Sequence, residues 1–452
     1  MSTLLFPLRE KPPRPSAPPD IRKVRIGLLG AGGVGQAFLQ LCRREREFFL
    51  RRGLDLQPVS ALVRDTSRPR QGMPPPALLT ADPLRFLKCS CDVVVEALGG
   101  VEPSRTLVAH CLKARIPVVT ANKSLVAAHG AELSALAQAH GTRLRVEAAA
   151  VAGVPFIGNL EARPLAGRFS ALQGVLNGTS NYLLTRLSEG QGLEPALSEA
   201  QELGVAEPDP SNDLSGRDSA EKLALLLQRL CSRQVDTAAL EVQPLANLQP
   251  MDLQAARLLG GVVRPAACAW LSEPPSPCNH RAEAIQAFVG PCYVPNGHPL
   301  AQVHGLENGL LLLKDAPHGQ TAANLFYQGP GAGCEVTAAT LLDDLWESVQ
   351  DASDSRPASQ FPAPQGPPAT LQAPRTPWFL RLKADPAELD DILAFLADHG
   401  LHGRGSHAAA DTVWLLTSRA SRARVEAVGQ ALAEAAQSDI LPLRALEVPH
   451  GC

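Results

Sequence analysis

Lysine is scarce in this chain: eight stand against thirty-four arginines. Aromatics make up only 4 % of its 452 residues, and no apolar run approaches the roughly 18 residues of a membrane-spanning helix. The net charge of −3 gives no basic face for nucleic acid and no polybasic patch for a membrane surface. Ten cysteines are scattered without a CxxC pair, and Cys89-Ser90-Cys91 has no matching second half. That speaks against a zinc ribbon or a disulfide framework and for reduced thiols in a cytoplasm. Cys334, beside a glycine-rich turn, carries no nucleophile motif and is expected to be a small buried filler. Residues 1–21 lack a basic leader and a long apolar core, so they read as a Pro-rich lead-in outside the fold.

The rest is an ordinary globular composition, 45 % apolar and 19 % charged, long enough for roughly two to four domains. Residues 24–29 (VRIGLL) are nearly all apolar, as in a strand buried on both faces of a parallel sheet. Gly30-Ala31-Gly32-Gly33-Val34-Gly35 follows at once, then a helical pattern with Phe38, Leu39 and Leu41. Strand, GxGxxG and helix in that order predict a dinucleotide site, with pyrophosphate on the helix N-terminus. Gly30 would allow the tight turn, Gly32 the approach of a pyrophosphate, and Gly35 close helix–strand packing. Further strands are expected at Pro58–Val63, Val93–Glu96 and Val118–Thr120, which makes an α/β doubly wound sheet of the Rossmann type. Ala97, Leu98, Gly99 and Gly100, and Thr120 to Lys123, lie just past strand ends and should face the cofactor crevice. Val63-Arg64-Asp65 ends the second strand: Asp65 suits the ribose of NAD, whereas Arg64, Arg68 and Arg70 suit a 2′-phosphate. The reading leans to NADP and leaves NAD open.

From about residue 147 small residues take over. A strand is expected at Leu172–Leu176, a turn at Asn177–Asn181, and helices near 181–188, 193–203, 214–231 and 335–349. Residues 351–376 hold several prolines and no periodicity, and read as a linker. Residues 377–452 read as a separate small unit of βαββαβ order, ferredoxin-like.

Two of the eight lysines stand in the most constrained stretches. Lys123 ends Thr120-Ala121-Asn122-Lys123, and Lys222 follows Asp218 by four residues, on the same helical face. Oxidising an alcohol needs a base for the hydroxyl proton while hydride leaves carbon. Lysine, unlike arginine, can give up its proton, and two neighbouring buried lysines are expected to depress each other's pKa. Glu207, Asp209 and Asp213 gather negative charge where a zwitterion's ammonium would dock.

The motifs GAGGVG (30–35), VVVEALGG (93–100), TANK (120–123), NGTSNYLL (177–184) and ELGVAEPDPSNDLSGRDSAEKL (202–223) occur in order. HPLAQVHGLENG (298–309) and GPGAG (329–333) complete the set. In these the chain resembles the homoserine dehydrogenases that carry a C-terminal ACT-type domain, and no kinase segment precedes the nucleotide motif. The resemblance implies NAD(P)-dependent interconversion of L-homoserine and L-aspartate 4-semialdehyde, on the way to threonine, methionine and isoleucine. It implies Lys222 as proton donor or acceptor, Lys123 beside the same oxygen, and Asp218 positioning the substrate. Glu207 would hold the amino group, with Asp213, Gly178 and Thr179 around it. Gly331 and Gly333 would close over the cofactor. Glu147 and the carbonyls of Ala150, Ala152 and Val154 match a structural sodium segment. The implied domains are 22–150 for the cofactor (completed by 332–350), 151–331 for substrate and dimerisation, and 377–452 as the ACT-like unit. A homodimer or homotetramer is expected. At Asp385-Pro386-Ala387 an alanine stands where such domains use glycine, so an amino-acid effector and dimerisation alone both stay open. A dehydrogenase for another amino or hydroxy acid, and a non-catalytic sensor, are the competing readings.

Overall fold

The computed structural model describes residues 21–70, 76–154, 156–158, 169–231, 234–271, 284–314, 324–331, 333–350, 368–436 and 440–449. The lead-in, Ala332 and the linker from 351 to 367 lie outside them.

The first sheet is parallel: β1 (Arg22–Leu29), β2 (Leu54–Leu62), β3 (Leu79–Thr80), β4 (Val93–Glu96), β5 (Val118–Thr120) and β6 (Leu144–Arg145). Its order is β3-β2-β1-β4-β5-β6, the doubly wound arrangement with its switch point between β1 and β4. The all-apolar runs explain this placement, since β1 and β4 are covered on both faces and Val24, Ile26, Val93 and Val94 are fully buried. Strand β2 starts earlier than its apolar stretch suggested, because Asp55 is buried inside it, paired with Arg46 and with Gln57. Helix α1 (Gly33–Arg44) covers one face beside a helix from far along the chain, Cys334–Gln350. In that late helix Leu341 and Leu345 are fully buried, and truncating either would cost about 2–5 kcal/mol. Other helices connect the strands, α2 (Ser104–Lys113) and α3 (Lys123–Ala139) among them.

The second sheet is mixed. It holds β7 (Ala171–Val175), β8 (Glu241–Val242), β9 (Gly261–Leu271), β10 (Ala284–Pro295), β11 (Glu307–Leu313) and β12 (Leu325–Pro330). Helices α4 (Gly178–Ser188), α5 (Leu193–Glu202), α6 (Arg217–Cys231) and α7 (Pro250–Leu258) pack around it, and the helix at Cys334–Gln350 is α8. The C-terminal part is β13 (Thr370–Gln372), β14 (Trp378–Lys383), α9 (Leu389–Asp398), β15 (Gly403–Ala409), β16 (Thr412–Thr417), α10 (Arg422–Ala436) and β17 (Ile440–Ala445). From β14 onward the order is βαββαβ, as expected.

Two expectations are corrected here. The C-terminal unit is not separate, because the second sheet runs continuously in the order β12-β11-β7-β9-β10-β17-β14-β16-β15. Along one edge of β10 sit three short parallel partners, β13 at Ala284–Gln286, β8 at Phe288–Val289 and β17 at Cys292–Tyr293. The end of the linker stretch is therefore strand, not spacer. Buried ion pairs fasten the junction. Arg444 binds Glu241 at 2.7 Å beneath the Trp378 ring, and Asp252 takes Arg381 at 2.7 Å and the Trp414 indole at 2.8 Å. Buried charges of this kind persist only when paired.

Candidate active site

Strand β5 ends at Thr120, and Asn122 caps the following helix by accepting the Leu125 N–H at 3.1 Å. That cap sets Lys123 at the first position of α3. Beneath the turn lies Glu96, a wholly buried carboxylate at the end of β4. It accepts from Thr120 Oγ1 (2.5 Å), Asn122 Nδ2 (3.2 Å), Ser104 Oγ (3.1 Å) and the Leu98 N–H (2.9 Å). One acid thus fastens both loops that follow β4 and β5, satisfying the rule that a buried polar group must be hydrogen-bonded.

On the other side of the cleft β7 ends at Val175, and Asn177 caps α4 through the Ser180 N–H at 2.7 Å. The Asn177 amide donates to Asp213 at 2.6 Å and to Asp218 Oδ2 at 2.9 Å. Asp218 and Lys222 are one turn apart on α6, and Lys222 Nζ lies 2.8 Å from Asp218 Oδ2 and 2.8 Å from the Leu176 carbonyl. Lys123 crosses from the first sheet to the other oxygen, Asp218 Oδ1, and reaches Glu221 at 2.9 Å. Two ammonium groups from distant parts of the chain therefore share one carboxylate.

The electrostatics follow. Burial pushes the Asp218 pKa up, but Lys222 and Lys123 outweigh it and hold the carboxyl well below the usual range. Burial alone would lower the Lys123 pKa, yet Asp218 and Glu221 raise it above its ordinary value. This corrects the expectation of mutual depression: carboxylates, not the neighbouring lysine, dominate around Lys123.

The glycine turn adopts the expected shape. Gly30 has φ +95°, and a Cβ there would meet the Ala97 carbonyl at 2.5 Å, so the turn sits against the end of β4. A Cβ on Gly35 would lie 2.3 Å from the Gly30 carbonyl, which is the close helix–strand packing foreseen. Ala31 is buried, Val34 half-buried, and Gly32 faces open space. These features leave the N–H groups of the first turn of α1 available to an anion. Cys334 is exposed, not buried, and its sulfur faces Gly33 across the mouth of this turn.

The remaining residues join the two halves. The Gly331 N–H donates to the Leu306 carbonyl at 3.0 Å, and the same carbonyl lies against Gly178, where a Cβ would approach to 2.9 Å. Gly333, φ +128°, follows into α8. Thr179 donates to the Val205 carbonyl at 3.1 Å and draws in the loop that carries Glu207, whose exposed carboxylate bonds nothing among the described residues. Asp209, exposed in the same loop, accepts the Ser211 N–H at 3.1 Å. Arg64 is exposed at the end of β2, beside an Asp65 carboxylate already taken by Ser67 N and Oγ at 2.8 and 2.6 Å. The Glu147 carboxylate accepts the Ile157 and Gly158 N–H groups at 2.9 and 3.0 Å, so it staples its own loop. Ala150 and Val154 beside it are buried, and Ala152 is half-buried.

Residues 30–147 match the sequence model for the NAD-binding domain of homoserine dehydrogenase, and residues 155–346 the model for homoserine dehydrogenase itself. The homoserine dehydrogenase of Synechocystis sp. is 35 % identical over 341 residues, 74 % of this chain and 76 % of that protein. The chain belongs to the homoserine dehydrogenase family. It is an NAD(P)-dependent oxidoreductase acting on a CH–OH group. The homoserine dehydrogenase of Corynebacterium glutamicum is 36 % identical over 71 % of either chain. Among solved structures, a homoserine dehydrogenase from Thiobacillus denitrificans superposes with a TM-score of 0.82 at 29 % identity, covering 95 % of this chain and all of that one. Among the described residues no helix is long and apolar enough to cross a membrane.

Three residues that hold these side chains in place were missed in the sequence. Asn177 was signalled by its N-cap spacing to Ser180, and Glu96 by an acid closing an otherwise apolar strand. Glu221 had no signal, because its partner Lys123 comes from the other sheet.

Proposed function

We propose that the chain interconverts L-homoserine and L-aspartate 4-semialdehyde with NADP, supplying threonine, methionine and isoleucine synthesis. The observation that carries this reading is the pair Lys123 and Lys222 on opposite oxygens of Asp218. A bound nicotinamide gives or takes the hydride at the carbon, and the chain must manage the oxygen. In the reducing direction Lys222 donates the proton to the aldehyde oxygen, and in the oxidising direction it accepts the proton of the hydroxyl. Asp218 and the Leu176 carbonyl aim its ammonium, while Lys123, kept charged by two carboxylates, steadies the developing negative charge. The exposed Glu207 carboxylate would take the substrate ammonium, with Asp213, Gly178 and Thr179 shaping the pocket.

The nicotinamide nucleotide would lie along Gly30 to Gly35 and Ala97 to Gly99, closed by Gly331 and Gly333. Arg64 is left to meet a 2′-phosphate, since Asp65 is spent on Ser67. This supports NADP over NAD. Glu147 and the carbonyls of Ala150, Ala152 and Val154 would hold a structural sodium ion, as hard cations prefer oxygen donors. We read the βαββαβ unit as ACT-like with a pairing role, in a homodimer or larger oligomer. Its Asp385 carboxylate is spent on the Ala387 N–H at 2.9 Å rather than left for an effector. Free thiols at Cys42, Cys111, Cys268 and Cys292 fit a cytoplasmic setting. The deciding test is NADPH absorbance with purified protein and aspartate semialdehyde. Steady loss supports the reading, and loss only with another carbonyl compound, or binding without turnover, defeats it.

A further inference from the structure

The charges around the two lysines are unequal. Lys222 has one carboxylate, Asp218, and a neutral carbonyl, Leu176. Lys123 has two carboxylates, Asp218 and Glu221, at the start of its helix. A helix N-terminus is an unfavourable place for an added positive charge, so Lys123 stands where a cation is least welcome unless acids surround it. Glu221 adjoins Lys222 in sequence but points along another side of α6, and it is half-exposed where Asp218 is largely enclosed.

We propose that Glu221 is a positioning residue for the reaction: by its ion pair it holds Lys123 charged and turned toward Asp218, which leaves proton transfer to Lys222 alone. The proposal rests on the homoserine dehydrogenase reading for its consequence in turnover, but not for its consequence at Lys123. Without Glu221, Lys123 would share a single carboxylate with Lys222 and compete with it for the same acid. The groups facing Lys123 are Asp218 and Glu221 from α6, with Lys222 on the far oxygen of Asp218. From the turn before α4 comes the Asn177 amide, which ties Asp213 to the same cluster.

The test compares the full-length protein with Glu221→Gln and Glu221→Asp. Gln should lower kcat about tenfold, less than the hundredfold or more that loss of a charge-stabilising donor costs, with KM for NADPH unchanged. The alkaline limb of the pH–rate profile should move to lower pH, because Lys123 loses one of two acids. Asp should restore much of both. Independently of turnover, Lys123 in the Gln variant should be acylated faster at pH 9 by an amine-reactive reagent, read by peptide mass spectrometry. Unchanged kcat, limb and labelling would overturn the proposal. So would a Gln variant that merely melts earlier and is not rescued by Asp. If the native protein fails to consume NADPH with aspartate semialdehyde while the labelling change appears, the substrate reading falls and the role of Glu221 stands.

Discussion

Asn177 donates its amide to Asp218 at 2.9 Å while its own carbonyl caps α4, so one side chain both starts a helix and steadies the acid between the lysines. Asn177→Asp keeps the shape and the cap but sets a third carboxylate against Asp213 and Asp218. We expect kcat to fall about a hundredfold or more, as when one preorganised donor is removed. Steady-state kinetics beside a thermal melt would check this, and near-native kcat would show the amide to be dispensable.

Lys222→Ala should abolish turnover while NADPH still binds, since the glycine turn lies on the first sheet, away from α6. Lys123→Ala should be severely impaired as well, but with its residual rate still governed by Lys222. Fluorescence titration with NADPH against turnover separates binding from chemistry. An active Lys222→Ala protein removes that residue from its role.

Arg64→Ala should weaken NADPH by about 10- to 100-fold, the worth of a charge-assisted hydrogen bond, and leave NADH nearly unchanged. The ratio of the two KM values is the readout, and an unchanged ratio defeats the phosphate assignment.

His298 is buried with both ring nitrogens used: Nε2 meets Gln173 Oε1 at 2.8 Å, and Nδ1 accepts the Leu300 N–H at 3.1 Å. Only the neutral ring satisfies both, and burial pulls its pKa down to about 4. The unfolded chain binds the proton first, so folding stability is lost as pH falls from about 6.5 toward about 4, by about 3 kcal/mol in all. Denaturant melts across that range should show this slope, and His298→Gln should flatten it.

The strands β1, β4 and β5 were legible because burial on both faces leaves an unbroken apolar run. The C-terminal strands and helices were legible because one covered face imposes a clear period. Strands β8 and β13 were not, since two or three residues carry no period and exist only because β10 offers an edge. The lysines were found from their scarcity and their motifs, but the sign of the Lys123 shift was not. Two acids meet it, one of them brought by a helix whose docking no local pattern encodes. Cys334 was misplaced for a similar reason: it opens α8 at the rim of a turn made three hundred residues earlier.

The backbone of Cys292 and Tyr293 finds its partner in β17, and the Tyr293 ring stacks on Phe379 at 5.7 Å. Cutting the chain ahead of Trp378 would therefore not release a trimmed catalyst. It would strip a flank from β10, bare an aromatic surface and orphan Asp252 without its arginine and indole. The tail is woven into the same fabric that carries the Asn177 turn, and whatever evolution does to one end must be tolerated by the other.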